Sequence, residues 1–240
     1  MKLKLLHLKL IAFFSLTLFT LSISGLISNN KLNFIFMAIG YMCMPLFAYI
    51  ISEGYRNTRN INKYLLRILL IAILSALPHR YVCISAASAW DPRLFFSSAL
   101  TGLFCLLSII VYDKIKYKYA KIFCVVFTVV ISFVLGMELA PHALIIMYII
   151  HFCRDKKFIE LAYYISSYSI VITIVSLFML FSNADLSIKS ELYRNIAMIG
   201  CILSLFFIKK YDGTKGPSCK LLSYSYYLVL LAIIVSIKVI

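Results

Sequence analysis

The sequence predicts an all-α fold: a polytopic transmembrane helix bundle of about nine spans, with the N-terminus inside and the C-terminus outside. Three observations carry this. The 240 residues are 63% hydrophobic and only 14% charged, with a mean hydropathy of +0.97. A soluble domain is about 45–50% apolar and about 25% charged. Uncharged apolar runs recur at the roughly 20 residues that a span requires, beginning with residues 10–30. Finally, the basic residues gather in alternate loops. A water-soluble single domain and a disordered chain are both excluded. A membrane β-barrel would show short alternating segments, the opposite pattern.

The elements follow in order. The first span, 10–27, comes after Lys2, Lys4 and Lys9. That start resembles the n- and h-regions of a signal peptide, but the apolar run is longer than a usual h-region, so it reads as an uncleaved helix. Spans at 33–52, 65–84 and 94–112 are separated by short polar turns. Residues 122–153 are apolar apart from Glu138 and His142, with Pro141 near the middle. At 1.5 Å per residue this stretch is long for one span and short for two. It is read as two, 122–137 and 141–153. The last three spans are 161–182, 193–208 and 221–240. No long polar segment intervenes, so residues 1–240 form one integral membrane domain.

Charge parity decides the division at Pro141. Lys2, Lys4 and Lys9 precede span one. Arg56, Arg59, Lys63 and Arg67 follow span two. Lys114, Lys116, Lys118 and Lys121 follow span four. Arg154, Lys156 and Lys157 follow span six, and Lys209, Lys210, Lys215 and Lys220 follow span eight. Together they are eighteen of the 24 Lys and Arg. Short loops rich in Lys and Arg stay in the cytoplasm. The net charge of +15 therefore sets orientation and implies no nucleic-acid partner. The lipid bilayer is the first partner, and a bacterial inner membrane the expected location.

Ionisable groups inside a membrane are costly and are functional suspects. Arg56 with Arg59, and Lys63 with Arg67, have helical i,i+3 and i,i+4 spacing. Such a cluster can bind phosphates; it also suits anionic lipid headgroups. Of four histidines, His7 lies in the basic start, His151 one turn before Arg154, and His79 and His142 each follow a proline near an outer turn. His79 and His142 are the candidates for proton transfer. Trp90, Asp91, Pro92 and Arg93 form an outer turn. Tyr163, Tyr164 and Tyr168, then Tyr224, Tyr226 and Tyr227, form aromatic clusters suited to packing and interface anchoring. Seven cysteines, Cys43, Cys83, Cys105, Cys124, Cys153, Cys201 and Cys219, form no CxxC pair and read as small hydrophobes. No metal site is expected. No internal repeat supports an inverted-repeat transporter.

Residues 39–79 read IGYMCMPLFAYIISEGYRNTRNINKYLLRILLIAILSALPH. The succession MPLFAYIISEGYRNTRN, KYLLRILL and SALP resembles the TraX family, named for acetylases of F-type conjugative pilin among multi-spanning acyltransferases. Leu8-Lys-Leu-Ile-Ala12, Leu94-Phe-Phe-Ser97 and Tyr211-Asp-Gly-Thr-Lys-Gly216 are similar to other parts of that family. The matching motif positions are Pro45, Phe47, Glu53, Gly54 and Tyr55, with Arg56, Arg59 and Arg67. The resemblance implies an enzyme that moves an acetyl group from acetyl-CoA, a co-substrate rather than a permanently bound cofactor. The acceptor it implies is the N-terminal amine of a pilin subunit or another membrane-inserted acceptor. Arg56, Arg59, Lys63 and Arg67 would hold the donor's phosphates. The sequence also departs from the family. Its Asp-His pair in the first helix falls on Phe19 and Thr20, and the Pro and His of its last helix on Leu228 and Leu230. Its Tyr-Gly hairpin signature is replaced around Leu139-Ala-Pro-His142, and an expected Asn by Arg93. Two readings follow: an acetyltransferase with relocated acid/base groups, or a catalytically silent relative acting as an accessory or binding membrane protein.

Overall fold

The computed structural model describes residues 3–83, 97–139, 141–153, 157–181, 186–214 and 220–239. The outer turn expected at Trp90–Arg93, with Leu94 to Phe96, Arg154, Lys156, Lys215, Gly216 and Cys219, lies outside the described residues. Among those described, the regular elements are eleven α-helices and one 3₁₀ turn. They are α1 (Leu5–Ile23), α2 (Asn30–Gly40), α3 (Cys43–Asn57), α4 (Ile61–Cys83), α5 (Ser98–Lys114), α6 (Lys118–Val134), α7 (His142–Phe152), α8 (Phe158–Phe181), α9 (Leu186–Ala197), α10 (Cys201–Lys209) and α11 (Lys220–Val239). The 3₁₀ turn is Met198–Gly200, between α9 and α10.

The protein is all-α, and each apolar segment read from the sequence falls on helix. Among the described residues, five helices are long and apolar enough to cross a membrane: Leu5–Ile23, Asn30–Asn57, Ile61–Cys83, Phe158–Phe181 and Leu192–Lys209. Shorter apolar helices run over His142–Phe152 and Ser225–Lys238. Large apolar side chains cover the outward faces: Leu66, Leu70, Ile73 and Leu77 on α4, Phe123, Phe127 and Phe133 on α6, and Ile174, Phe178 and Phe181 on α8. A soluble monomer rarely leaves contiguous patches of this kind in water. Hydrocarbon is the solvent they suit, and the chain is a membrane protein.

Helix ends are set by local chemistry. Asn29 caps α2, its Oδ1 accepting the N–H groups of Lys31 (3.0 Å) and Leu32 (3.2 Å). Asn60 does the same for α4, accepting the Lys63 N–H at 3.0 Å. At the start of α1, His7 Nδ1 accepts the Lys4 N–H at 3.2 Å. Inside the helices, hydroxyls fold back onto carbonyls one turn earlier. Thr20 donates to Leu16 (2.8 Å), Thr173 to Ser169 (2.8 Å) and Ser108 to Cys105 (2.7 Å). A polar group in hydrocarbon has to be satisfied internally, and this is the shortest way.

Two compact units are present. The first comprises residues 1–46 and 153–218. Here α1 packs on α2, and α8 packs on α9 and α10. Leu3 pairs with Tyr211 in a single parallel bridge. Beyond it, Thr214 donates its N–H (2.8 Å) and hydroxyl (2.6 Å) to Asp212 Oδ1, which holds that carboxyl below its usual range. Phe19 is fully buried and meets Tyr41 edge-on at 5.4 Å between ring centroids. Gly40 makes the α1–α2 approach possible: a Cβ there would stand 2.7 Å from the backbone N and Cα of Phe19. Because backbone cannot swing aside, Gly40→Ala is expected to cost about 1–3 kcal/mol, the usual penalty of overpacking. Thermal unfolding in detergent micelles measures it, and an unchanged midpoint contradicts the close approach.

The second unit comprises residues 47–152 and 219–240. Helix α4 packs on α5 and α11, while α5 also meets α6 and α7. Helix α4 runs through Pro78, which has no N–H to offer the carbonyl of Leu74. Next to it the Ser75 and Ser97 hydroxyls meet at 2.8 Å, both fully buried.

Candidate functional site

The candidate residues lie at the two ends of α4, all within the second unit. At its start is the cationic segment. Arg56 ends α3, Arg59 stands in the turn, and Lys63 and Arg67 occupy successive turns of α4; all four are exposed. The motif residues around them have structural work. Pro45 lies buried in the first turn of α3, where a missing N–H costs nothing; Phe47, half-buried, follows on the same helix. A Cβ at Gly54 would stand 2.5 Å from the Tyr64 hydroxyl oxygen and 2.8 Å from Cζ, so glycine lets Tyr64 close the turn. Glu53 accepts the Asn57 side-chain N–H at 3.1 Å and locks the end of α3.

Tyr55 reaches further. Its hydroxyl donates to Asp113 Oδ2 at 2.9 Å, while Asp113 Oδ1 meets His151 Nε2, also at 2.9 Å. Helices α3, α5 and α7 are thereby joined beside the cations. The carboxylate needs the proton on Nε2, so neutral His151 carries its lone pair on Nδ1, which is buried with no hydrogen-bond partner. Tyr112 covers the imidazole edge-on, and Lys121 sits 4.7 Å above the Tyr112 ring. Sequence reasoning noticed His151 but missed Asp113, since no spacing rule connects positions 55, 113 and 151.

The second cluster sits near the far end of α4. His79 is 3% exposed. Its Nε2 lies 3.9 Å from Glu138 Oε2 and 3.6 Å from Cys83 Sγ; its Nδ1 lies 3.4 Å from the Tyr227 hydroxyl. Ser98 opens α5 and donates its hydroxyl to Glu138, and it also meets Tyr227. Thr101 Oγ1 donates to the Glu138 carbonyl at 2.5 Å. Lys238, at the end of α11, donates to the Val82 carbonyl. The turn holding Glu138 includes Leu139 at φ 65°, a left-handed conformation costing about 1–3 kcal/mol for a non-glycine residue.

His79 and Glu138 form a partly desolvated acid/base pair from different elements, with Tyr227 fixing the ring from behind. His142 opens α7 four residues beyond Glu138 and is half-buried. Tyr227, read as an anchor, and Cys83, read as a filler, both stand against the His79 ring. Pro78-His79 and the isolated carboxylate Glu138 were visible signals; that they meet, with Tyr227 behind the ring, was not. Arg67 and His79 are twelve residues apart on one helix, a rise of about 18 Å. Where the family carries Asp-His, Phe19 is fully buried and Thr20 is 2% exposed, both in the first unit. Leu230, on α11, is 8% exposed.

The family model described as TraX protein matches residues 4–238. No curated protein and no solved structure matches the chain.

Proposed function

Because the chain belongs to the TraX family, we propose that it is a membrane acetyltransferase, moving acetyl from acetyl-CoA to the N-terminal amine of a pilin subunit or similar membrane-inserted acceptor. The observation that carries this is the buried His79–Glu138 pair, 3.9 Å apart and backed by Tyr227. A buried ionisable pair in a membrane helix unit is retained for function more readily than for packing. In this reading the nine segments are nine spans of a bacterial inner membrane, with the N-terminus inside and the C-terminus outside. Arg56, Arg59, Lys63 and Arg67 then face the cytosol, where acetyl-CoA is found. They hold its phosphates, and the pantetheine arm runs along α4 toward His79.

The chemistry needs a base for the attacking nucleophile and an acid for the leaving sulfur. His79 can serve both in turn, with Glu138 stabilising the imidazolium between the steps. Intact-mass analysis of a co-expressed pilin tests the reading. One added acetyl on the N-terminal amine is expected; an unmodified pilin with acetyl-CoA present rejects it. Arg56→Gln with Arg59→Gln is expected to raise KM for acetyl-CoA about tenfold, on the scale of one lost charge-assisted contact, with kcat little changed. An unchanged KM would assign these residues to lipid headgroups instead.

A second reading, a silent accessory relative, is favoured by one observation: Phe19, Thr20 and Leu230 are all buried, and Phe19 and Leu230 carry no ionisable group. Acetylation by the wild-type protein eliminates it.

A further inference from the structure

We propose that Cys83 is the nucleophile of the transfer, carrying the acetyl group as a thioester between acetyl-CoA and the amine, with His79 as its base. The proposal rests on the acetyl-transfer reading above and adds an acyl-enzyme step to it.

The geometry is that of an activated thiol. Cys83 and His79 are one turn apart on α4, Sγ and Nε2 separated by 3.6 Å. Neutral imidazole has one N–H. With Nδ1–H donating to the Tyr227 oxygen at 3.4 Å, the Nε2 lone pair faces the thiol. When Nε2 takes the thiol proton, the resulting imidazolium faces both the new thiolate and the Glu138 carboxylate, 3.9 Å away. Negative charge on two sides stabilises that state, the arrangement that activates a cysteine through a neighbouring histidine. Ser98 holds the Glu138 carboxylate, and Tyr227 holds the His79 ring. Cys83 also differs from Cys43, Cys105, Cys124, Cys153 and Cys201, which are buried, while Cys83 is half-buried at the end of its helix.

Both steps balance without an oxidant or reductant. In the first, Cys83 Sγ bonds to the acyl carbon and the bond to the CoA sulfur breaks. The thiol proton passes through His79 to the departing CoA thiolate. In the second, the acceptor nitrogen bonds to the acyl carbon and the Cys83 thioester bond breaks. The amine proton passes through His79 back to Sγ. One histidine serves four proton movements, so the route needs no Asp-His pair at positions 19 and 20. Holding acetyl on the enzyme also lets CoA leave before the amine arrives.

The test uses the full-length protein in detergent micelles, given acetyl-CoA with and without a peptide bearing a free N-terminal amine, quenched in acid and mapped by peptide mass spectrometry. One acetyl on Cys83 is expected, released by neutral hydroxylamine and discharged by the peptide. It is absent from Cys83→Ala and formed about 10²-fold more slowly in His79→Gln, the lower range of a lost general base. Melting temperatures establish that both variants fold, and Tyr227→Phe, which keeps the ring, supplies a milder lesion. Acetylated peptide from wild type or from Cys83→Ala at undiminished rate, with Cys83 unlabelled, overturns the proposal and leaves the acetyl-transfer reading standing. Equal labelling in wild type and His79→Gln is uncatalysed exchange and also overturns it. Acetyl that loads onto Cys83 and reaches no amine upholds the nucleophile and rejects the acceptor. Neither label nor product rejects both.

Discussion

Replacing His79 by glutamine is expected to lower amine acetylation by about 10²–10⁴-fold, the range that positioned acid–base catalysis contributes. The substitution removes the proton-carrying ring at the centre of the second cluster and keeps a polar side chain of similar length. Glu138→Gln is expected to cost less, on the order of tenfold. It deletes only the charge that stabilises an imidazolium 3.9 Å away. On the proposed reading both effects fall on kcat rather than on KM for acetyl-CoA, because the cations proposed to hold the donor's phosphates lie at the other end of α4. Single-turnover rates in proteoliposomes, beside melting curves for each variant, make the measurement. A His79→Gln protein that folds and acetylates at the wild-type rate removes the acid/base role.

The second large effect concerns the position where the family carries aspartate. Phe19→Asp is expected to destabilise the first unit by about 3–5 kcal/mol, the cost of an uncompensated buried charge. Phe19 is fully buried, packs edge-on against Tyr41 and has Gly40 against its backbone. A carboxylate there meets aromatic and backbone surface with no cation among its described contacts. Thr20→His is milder, about 1–3 kcal/mol, since a ring replaces a hydroxyl already satisfied by Leu16. Restoring the Asp-His pair therefore removes packing before it adds chemistry. Thermal unfolding of the two single variants separates these costs. A stable Phe19→Asp protein would mean that the pocket at position 19 accepts charge.

The helices were legible because hydrocarbon imposes a long apolar run and basic loops mark its ends. Helix edges shifted by several residues, as α1 begins at Leu5 rather than at 10. The reason is local: Leu3 and Leu5 hydrogen-bond to the segment after α10, which ties down the start of the helix. The site was legible only where its residues are neighbours in the chain. Periodicity placed Lys63 and Arg67 on one face, and placed His79 near the end of α4. It could not show Glu138 meeting His79, Tyr227 behind the ring, or Asp113 between Tyr55 and His151. Those contacts depend on which helices pack together. In an almost uniformly apolar chain, many packings satisfy the same pattern. Cys83 was hidden differently, since a cysteine in an apolar run looks the same whether inert or activated.

Leu139 couples backbone conformation to the position of a carboxylate. It holds a left-handed backbone, in the hairpin where the sequence departs from a Tyr-Gly signature. Glycine enters that region freely; leucine does not. Leu139 therefore holds a conformation that costs about 1–3 kcal/mol for a residue of its kind. The Thr101 bond to the Glu138 carbonyl gives a reason for its persistence, because relaxing Leu139 would swing that carbonyl and the carboxylate beside it away from α5. The left-handed turn and the Thr101 bond therefore stand or fall together, and with them the place of the Glu138 carboxylate beside α5.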